Sequence, residues 1–427
     1  MSETPDELPA ARPQIRDRYT FLIVIASTFG LQAFTLVTGV IIARALGPEG
    51  RGIVALVFAL SVFASQLTFG ASVPVAITRQ LAERGIGLRG LARRRGGLLL
   101  VPSLAAGAIM LVLLQDEPTG DRVMFAVAAA LMALQTMVFR LLSGGLQGEG
   151  RLAQVAWAGM LPQLLFTVAL VTAQVAGWGW QALDMLVAYF VSSFIALAFA
   201  ARSLGPASGR DADRLDETAL WAESRRSYIS SVRPLDGLQL DRLVVGGFVG
   251  TVALGLYAAA SAVSNLCSLV SNAVAIIVLP RVAAQPGNRS AQQAVIRRWV
   301  LLSAALIGVI VVGLQLVVDP VIRIAFGEEF TGAITCARWL ILADGLMAMR
   351  KVLIAVLQGQ GRGGTASWIE LGLLPVMIGG TVVAALLGSL TEIGIALTVV
   401  GLLSCLALGR AVRQPYQPVR PPSTTRT

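Results

Sequence analysis

The sequence contains no histidine, and Lys351 is its only lysine. Histidine is the commonest general base and metal ligand of enzymes, so its absence argues against the usual hydrolytic and metal-dependent active sites. A Walker A loop requires a lysine inside a glycine-rich turn, and Lys351 does not lie in one. We therefore expect no catalytic residue, no metal site and no cofactor. The chain is predicted not to be an enzyme.

Cysteines and charged residues are also scarce. The cysteines lie far apart in apolar runs, which predicts buried thiols and no disulfide framework: Cys267, Cys336 and Cys405. Only 14% of the residues are charged and 56% are hydrophobic, whereas about a quarter of an ordinary soluble chain is charged. Together with a mean hydropathy of +0.74, this composition indicates that lipid is the solvent for much of the chain.

The apolar runs are long enough to span a bilayer, which needs about 20 residues per helix. They predict an all-α integral membrane protein with about twelve transmembrane helices. The approximate bounds of these spans are 21–43, 52–78, 97–115, 122–146, 152–176, 180–201, 227–249, 252–279, 299–318, 331–357, 366–388 and 391–410.

The net charge of +10 comes from arginines in the loops between spans, which fits membrane topology and not a nucleic-acid-binding surface. Arginine-rich loops at 79–95 and 281–298 alternate with acidic loops at 116–121 and 328–329. Because positively charged loops face the cytoplasm, both termini are expected on that side. The loop at 79–95 also fits a contact with anionic membrane lipids, although topology alone explains it.

The chain repeats itself. The sequence Leu146–Arg151 recurs as Leu357–Arg362, and Gly30-Leu31-Gln32 recurs as Gly237-Leu238-Gln239. In the same order, Gly47 and Gly52 correspond to Gly250 and Gly255. An ordered repeat predicts two parallel six-helix lobes with a cleft between them. The expected segments are a cytoplasmic tail at 1–20, an N-lobe at 21–202, a linker at 203–224, a C-lobe at 225–410 and a cytoplasmic tail at 411–427.

Three stretches carry a resemblance to a known family. They are ARALGPEGRGIVAL at 43–56, LDGLQLDRLVVGGFVGTVALGLYAAAS at 235–261 and the paired LQGEGR and LQGQGR. The chain, from about residue 19 to 410, resembles the Wzx-type oligosaccharide flippases of polysaccharide biosynthesis. These belong to the multidrug/oligosaccharidyl-lipid/polysaccharide (MOP) exporter superfamily, which is MATE-like in fold.

The resemblance implies movement of an undecaprenyl-pyrophosphate-linked oligosaccharide to the outer leaflet of the bacterial inner membrane. A polysaccharide polymerase and glycosyltransferases are the expected partners, and the carboxylates within the predicted spans indicate a proton or sodium ion for coupling. A MATE-type drug or metabolite antiporter remains an alternative. A membrane-embedded polysaccharide polymerase or ligase is a third reading, but the outer loops are all short.

Two cations inside predicted spans are candidates for the pyrophosphate site. Arg140 lies in the fourth span and Lys351 in the tenth, and the spacing that relates the two LQG motifs also relates these positions. A charge at a helix centre costs about 2.5–3.5 kcal/mol, so it usually faces a cavity or a partner. The alternative is that both side chains extend to the cytoplasmic interface.

Carboxylates at comparable depth are candidates for ion coupling: Asp236, Asp344 and Asp241. The alternative is that they are plain ion-pair partners, above all Asp241 beside Arg242. Further polar residues are candidates for lining the cavity, although helix–helix hydrogen bonding is the commoner role of the amides. These are Arg233, Arg242, Arg350, Gln32, Gln239, Asn265 and Asn272.

Overall fold

The computed structural model describes residues 15–69, 72–74, 76–78, 96–115, 117–204, 222, 224, 228, 235–283 and 289–414. These residues form helices and turns, with no strand among them. The helices are α1 Ile15–Phe69, α2 Leu100–Leu113, α3 Thr119–Gly148, α4 Leu152–Val175, α5 Ala182–Ser203, α6 Leu240–Val244, α7 Thr251–Ser264, α8 Ser268–Ala283, α9 Arg289–Val321, α10 Ile334–Gly359, α11 Gly363–Leu386 and α12 Leu390–Arg413. Short 3₁₀ and π turns flank them at Gly96–Leu99, Val245–Val249, Asn265–Cys267, Ile322–Phe326 and Glu328–Ala333.

The predicted all-helical membrane fold is confirmed. Within the described part of the chain, 8 helical stretches are long and apolar enough to cross a bilayer. The first two predicted spans form α1, which is interrupted at Gly47, where φ is 64°. Pro48 follows directly and lacks an amide hydrogen for the helix. The eighth predicted span consists of α7 and α8, joined by a 3₁₀ turn.

The predicted span over 227–249 is not a single helix in its described part. Residues 235–238 form a turn, and α6 begins only at Leu240. Gln239 separates the two with a φ of 49°, a left-handed conformation that few residues other than glycine adopt. Asp236 therefore lies in a turn, where its carboxylate is not restricted to one helix face. Arg233, which precedes it, lies outside the described residues.

The internal repeat is visible in the backbone. Glycines with positive φ occur at equivalent places, with Gly150 at 71° and Gly361 at 74°. Both follow the repeated LQG motif and end a helix. Arg151 donates to the carbonyl oxygen of Ser203, and Arg362 donates to that of Gln414. Because the same offset relates both members of each pair, the two halves share their helix-end geometry as well as their sequence.

The two halves meet where α1 packs on α7. A Cβ atom on Gly52 would lie 1.8 Å from the carbonyl oxygen of Thr251, and one on Gly255 would lie 1.8 Å from that of Pro48. These glycines occupy equivalent positions in the repeat, so the contact is reciprocal. Such a close approach of two backbones requires the absence of a side chain at both positions.

Arg51 connects the two halves at the same place. Its side chain is buried, and it donates to the carbonyl oxygens of Gly39 in the first half and Ala258 in the second. The guanidinium carbon lies 4.9 Å from the ring centroid of Phe326, within the range of a cation–π contact. Both backbone and side-chain contacts therefore join the two halves at this place.

Candidate functional site

A cluster of four charged side chains, two of them buried and two half-buried, joins three elements. Arg350 and Lys351 are neighbours on α10, Asp236 lies in the turn before α6, and Glu370 lies on α11. Nη2 of Arg350 is 3.0 Å from Oδ2 of Asp236, and Nη1 is 2.6 Å from Oε1 of Glu370. Nζ of Lys351 is 3.8 Å from the same Oδ2 of Asp236. We call these four residues the charged cluster.

Burial differs between the two cations of the charged cluster. The Arg350 side chain is 0% exposed and Glu370 is 7% exposed, whereas Asp236 is 24% and Lys351 is 29% exposed. A buried guanidinium requires nearby anions, and Arg350 has a carboxylate on each side. It donates a hydrogen bond to Glu370, whereas Nη2 faces Asp236 as an ion pair without hydrogen-bond geometry. Lys351 lies beyond hydrogen-bond distance from Asp236, so its attraction is mainly Coulombic.

Two further carboxylates accept hydrogen bonds from hydroxyl groups on α7. Tyr257 donates to Asp241 over 2.6 Å, and Ser264 donates to Asp344 over 2.5 Å. Asp344 lies within Coulombic range of Asp241 and Lys351. Asp241 and Asp344 thus form a second polar group beside the charged cluster, lined by α6, α7 and α10.

One expected ion pair does not form. The alternative of an Asp241–Arg242 ion pair is wrong, because Arg242 instead donates to the side chain of Gln239 over 3.4 Å and Asp241 accepts from Tyr257. Adjacent residues on a helix point in different directions, which explains the separation. Lys351 shares a helix face with Asp344, yet the carboxylate within 4 Å of it belongs to Asp236, from another element.

Arg140 lies on α3, in the first half of the chain, whereas the charged cluster belongs to the second half. The Arg140 side chain is half-buried. No hydrogen bond or ion pair joins it to another residue in the described part of the chain. Besides Gln239, the other three amides predicted to line the cavity are also half-buried, on α1, on the turn after α7 and on α8: Gln32, Asn265 and Asn272. Within the described ranges, their side chains make no hydrogen bond.

Sequence reasoning missed Glu370, Tyr257 and Ser264. Glu370 carried a usable signal, because it is a lone acid inside the predicted span 366–388 and an intramembrane charge needs a partner. Tyr257 and Ser264 carried none, since hydroxyl residues are common in membrane helices and usually bond within their own helix. Their role as donors to Asp241 and Asp344 follows only from how α7 packs.

Comparisons with known proteins agree with this architecture. Residues 124–335, just under half of the chain, match a family model described as "Polysaccharide biosynthesis protein". The chain is 24% identical over 384 residues to the succinoglycan biosynthesis transport protein ExoT of Rhizobium meliloti (strain 1021). That alignment covers 87% of this chain and 74% of ExoT.

Solved structures with a similar fold include two kinds of transporter. An inward-facing multidrug resistance MATE family transporter of the MOP superfamily superposes with a TM-score of 0.65 at 17% identity, covering 90% of this chain and 94% of the other. The lipid II flippase MurJ in an inward closed conformation gives a TM-score of 0.72 at 12% identity, covering 92% and 88%. The predicted resemblance to polysaccharide-biosynthesis proteins is therefore confirmed, and the chain is a multi-pass membrane protein whose fold is similar to that of a MATE transporter of the MOP superfamily.

Proposed function

We propose that this protein flips a lipid-linked oligosaccharide, attached to its polyprenyl carrier through a diphosphate, to the outer leaflet of the bacterial inner membrane. The matched family model, the succinoglycan transport relative and the fold shared with a lipid II flippase support this proposal. The observation that carries it is the pair of cations Arg140 and Lys351, at equivalent repeat positions on α3 and α10. A diphosphate entering a low-dielectric cavity requires such counter-charge.

The proposed direction of entry follows from the arginine-rich loops. With those loops in the cytoplasm, the reciprocal glycine contact at Gly52 and Gly255 lies at the outer end of the bundle. Since Arg51 and the glycines hold that end closed, the substrate enters from the cytoplasmic end. In this arrangement the lipid tail stays in the bilayer while the head group crosses between the lobes.

A drug or metabolite antiporter is the second candidate function, and the carboxylates Asp241 and Asp344 favour it because a cationic drug needs anions in the cleft. The flippase is preferred because Arg140 and Lys351 provide cations in both halves. We propose no enzymatic step. The polymerase and the glycosyltransferases of the same biosynthetic route are the expected partners.

The direct test is reconstitution. Purified protein in liposomes should move a fluorescent polyprenyl-diphosphate-linked oligosaccharide between leaflets, measured as the fraction accessible to an added impermeant glycosidase. Liposomes with a monophosphate-linked analogue serve as the comparison, because half of the anionic group is then missing. Transport of a lipophilic cation but not of the diphosphate lipid would contradict the flippase and support the antiporter.

For ion coupling we propose Asp344 ahead of Asp236, because Asp236 is shared by two cations whereas Asp344 has no ion pair in the described part of the chain. A gradient of 100 mV is worth about 2.3 kcal/mol per charge, which permits up to about fiftyfold accumulation. Collapsing the gradient should remove this accumulation in the wild type and change nothing in Asp344→Asn. The control is Asp319→Asn, whose half-exposed carboxylate pairs with Arg338. An Asp344→Asn protein that still responds to the gradient as the wild type does contradicts this role.

A further inference from the structure

Asp236 is shared by two cations that differ in how firmly they are held. Arg350 approaches it to 3.0 Å, is fully buried and is fixed from the other side by Glu370. Lys351 approaches the same oxygen only to 3.8 Å and remains 29% exposed. The two cations therefore compete for one carboxylate oxygen, and Lys351 has the weaker and more accessible contact.

We propose that Asp236 is the exchange partner of Lys351, holding the ammonium when no substrate is present and releasing it to the diphosphate of the lipid carrier. This inference rests on the proposed function and adds a role for Asp236, Arg350 and Glu370. Arg350 stays on Asp236 throughout, so the carboxylate is never left buried without a counter-charge. Lys351 exchanges one anionic oxygen for another, and the number of ion pairs it makes is unchanged.

The exchange accounts for the presence of Arg350 and Glu370 beside the ion pair of Asp236 and Lys351. An unpaired lysine in a membrane cavity is costly, and a lysine bound only to one buried carboxylate would leave an equally costly anion behind when it moved. With Arg350 resident between Asp236 and Glu370, only the long Lys351 contact is broken. After diphosphate binding, α10 is joined to the turn that holds Asp236 through Arg350 and no longer through Lys351.

Because Lys351 is the only lysine, its ion pair is directly measurable without a transport assay. A small amine-selective acylating reagent modifies only Lys351 and the N-terminal amine, and peptide mass spectrometry distinguishes the two. An ammonium held by a carboxylate reacts slowly. In nanodiscs of zwitterionic lipid, Asp236→Asn should raise the rate of Lys351 acylation about three- to tenfold. Saturating inorganic pyrophosphate should slow acylation in both the wild type and the variant.

Two variants serve as controls. Asp236→Glu keeps a carboxylate near the amine and should react like the wild type, and it covers the case in which Asp236→Asn fails to fold. Asp319→Asn removes the carboxylate from another ion pair of α10, with Arg338, and should leave the acylation of Lys351 unchanged.

The outcomes separate this inference from the proposed function. Equal acylation rates in the wild type and Asp236→Asn would overturn the exchange, and protection by pyrophosphate would then leave the flippase intact. Faster acylation in Asp236→Asn without any protection by pyrophosphate would overturn the transfer to a diphosphate and count against the flippase as well. Equal protection by nanodiscs that contain phosphatidylglycerol, with no pyrophosphate, would identify the ligand as a membrane head group and overturn the carrier diphosphate.

Discussion

Flipping by the Arg140→Ala/Lys351→Ala double variant is expected to fall more than about a hundredfold below the wild type. A charge-assisted contact is worth about 1.5–3 kcal/mol, so either single change should cost about ten- to a hundredfold. The two positions are equivalent in the repeat and lie on α3 and α10, so each half loses its cation. The measurement is the initial rate in the proteoliposome assay, at matched protein levels.

A conservative variant and a control variant test whether charge and position cause the expected loss. Arg140→Lys should be milder than Arg140→Ala, because the charge survives although the two-pronged donor geometry does not. Arg122→Ala removes an arginine from the first turn of the same helix α3 and should leave the rate within about twofold. Near-normal flipping by the double variant would show that both side chains only extend to the membrane interface.

Loss of Arg350 is expected to cause the largest drop in stability of any single change in the charged cluster. Arg350→Met leaves Asp236 and Glu370 without their shared cation, and breaking a buried pair in this way costs about 3–5 kcal/mol. The melting temperature, followed by the fluorescence of the 7 tryptophans, should fall by at least about 5 °C.

A second change tests the reason for that loss. Replacing a buried ion pair by apolar residues of similar size is often nearly neutral. The Arg350→Met/Glu370→Met double variant should therefore recover at least half of the lost stability, with Lys351 still beside Asp236. Arg338→Met is the control on the same helix, since its pair with Asp319 is half-exposed and worth about 1 kcal/mol or less. An Arg350→Met protein as stable as Arg338→Met would contradict the structural role of the cluster.

The glycine contact between the two halves shows what the internal repeat could predict and what it could not. The sequence related Gly47 and Gly52 to Gly250 and Gly255, and the structure gives Gly47 and Gly250 the positive φ values of 64° and 111°. That Gly52 and Gly255 contact each other's half reciprocally was not predicted. An internal repeat fixes which residues are equivalent, but it does not specify which faces of the two halves meet.

The predicted seventh span shows a different limit. Apolar residues lie along 227–249 among the charged ones, so the segment was predicted as one span, but Gln239 adopts a left-handed conformation and α6 starts after it. Hydropathy measures how well a segment dissolves in lipid and is insensitive to its dihedral angles. The turn before Gln239 is what allows Asp236 to reach both Arg350 and Lys351.

By itself the sequence determined the membrane class, the helical fold, the repeat and the family resemblance. These properties depend on the length of apolar runs and the position of glycines, which are the same however the chain packs. Only the tertiary structure decided the ion pairs, because it brought Asp236, Glu370 and Arg350 together from three elements. Which carboxylate meets which cation depends on the rotation and depth of each helix relative to its neighbours. The rotation and depth of a helix are set by packing over the whole bundle, so they cannot be predicted from residue spacing along that helix.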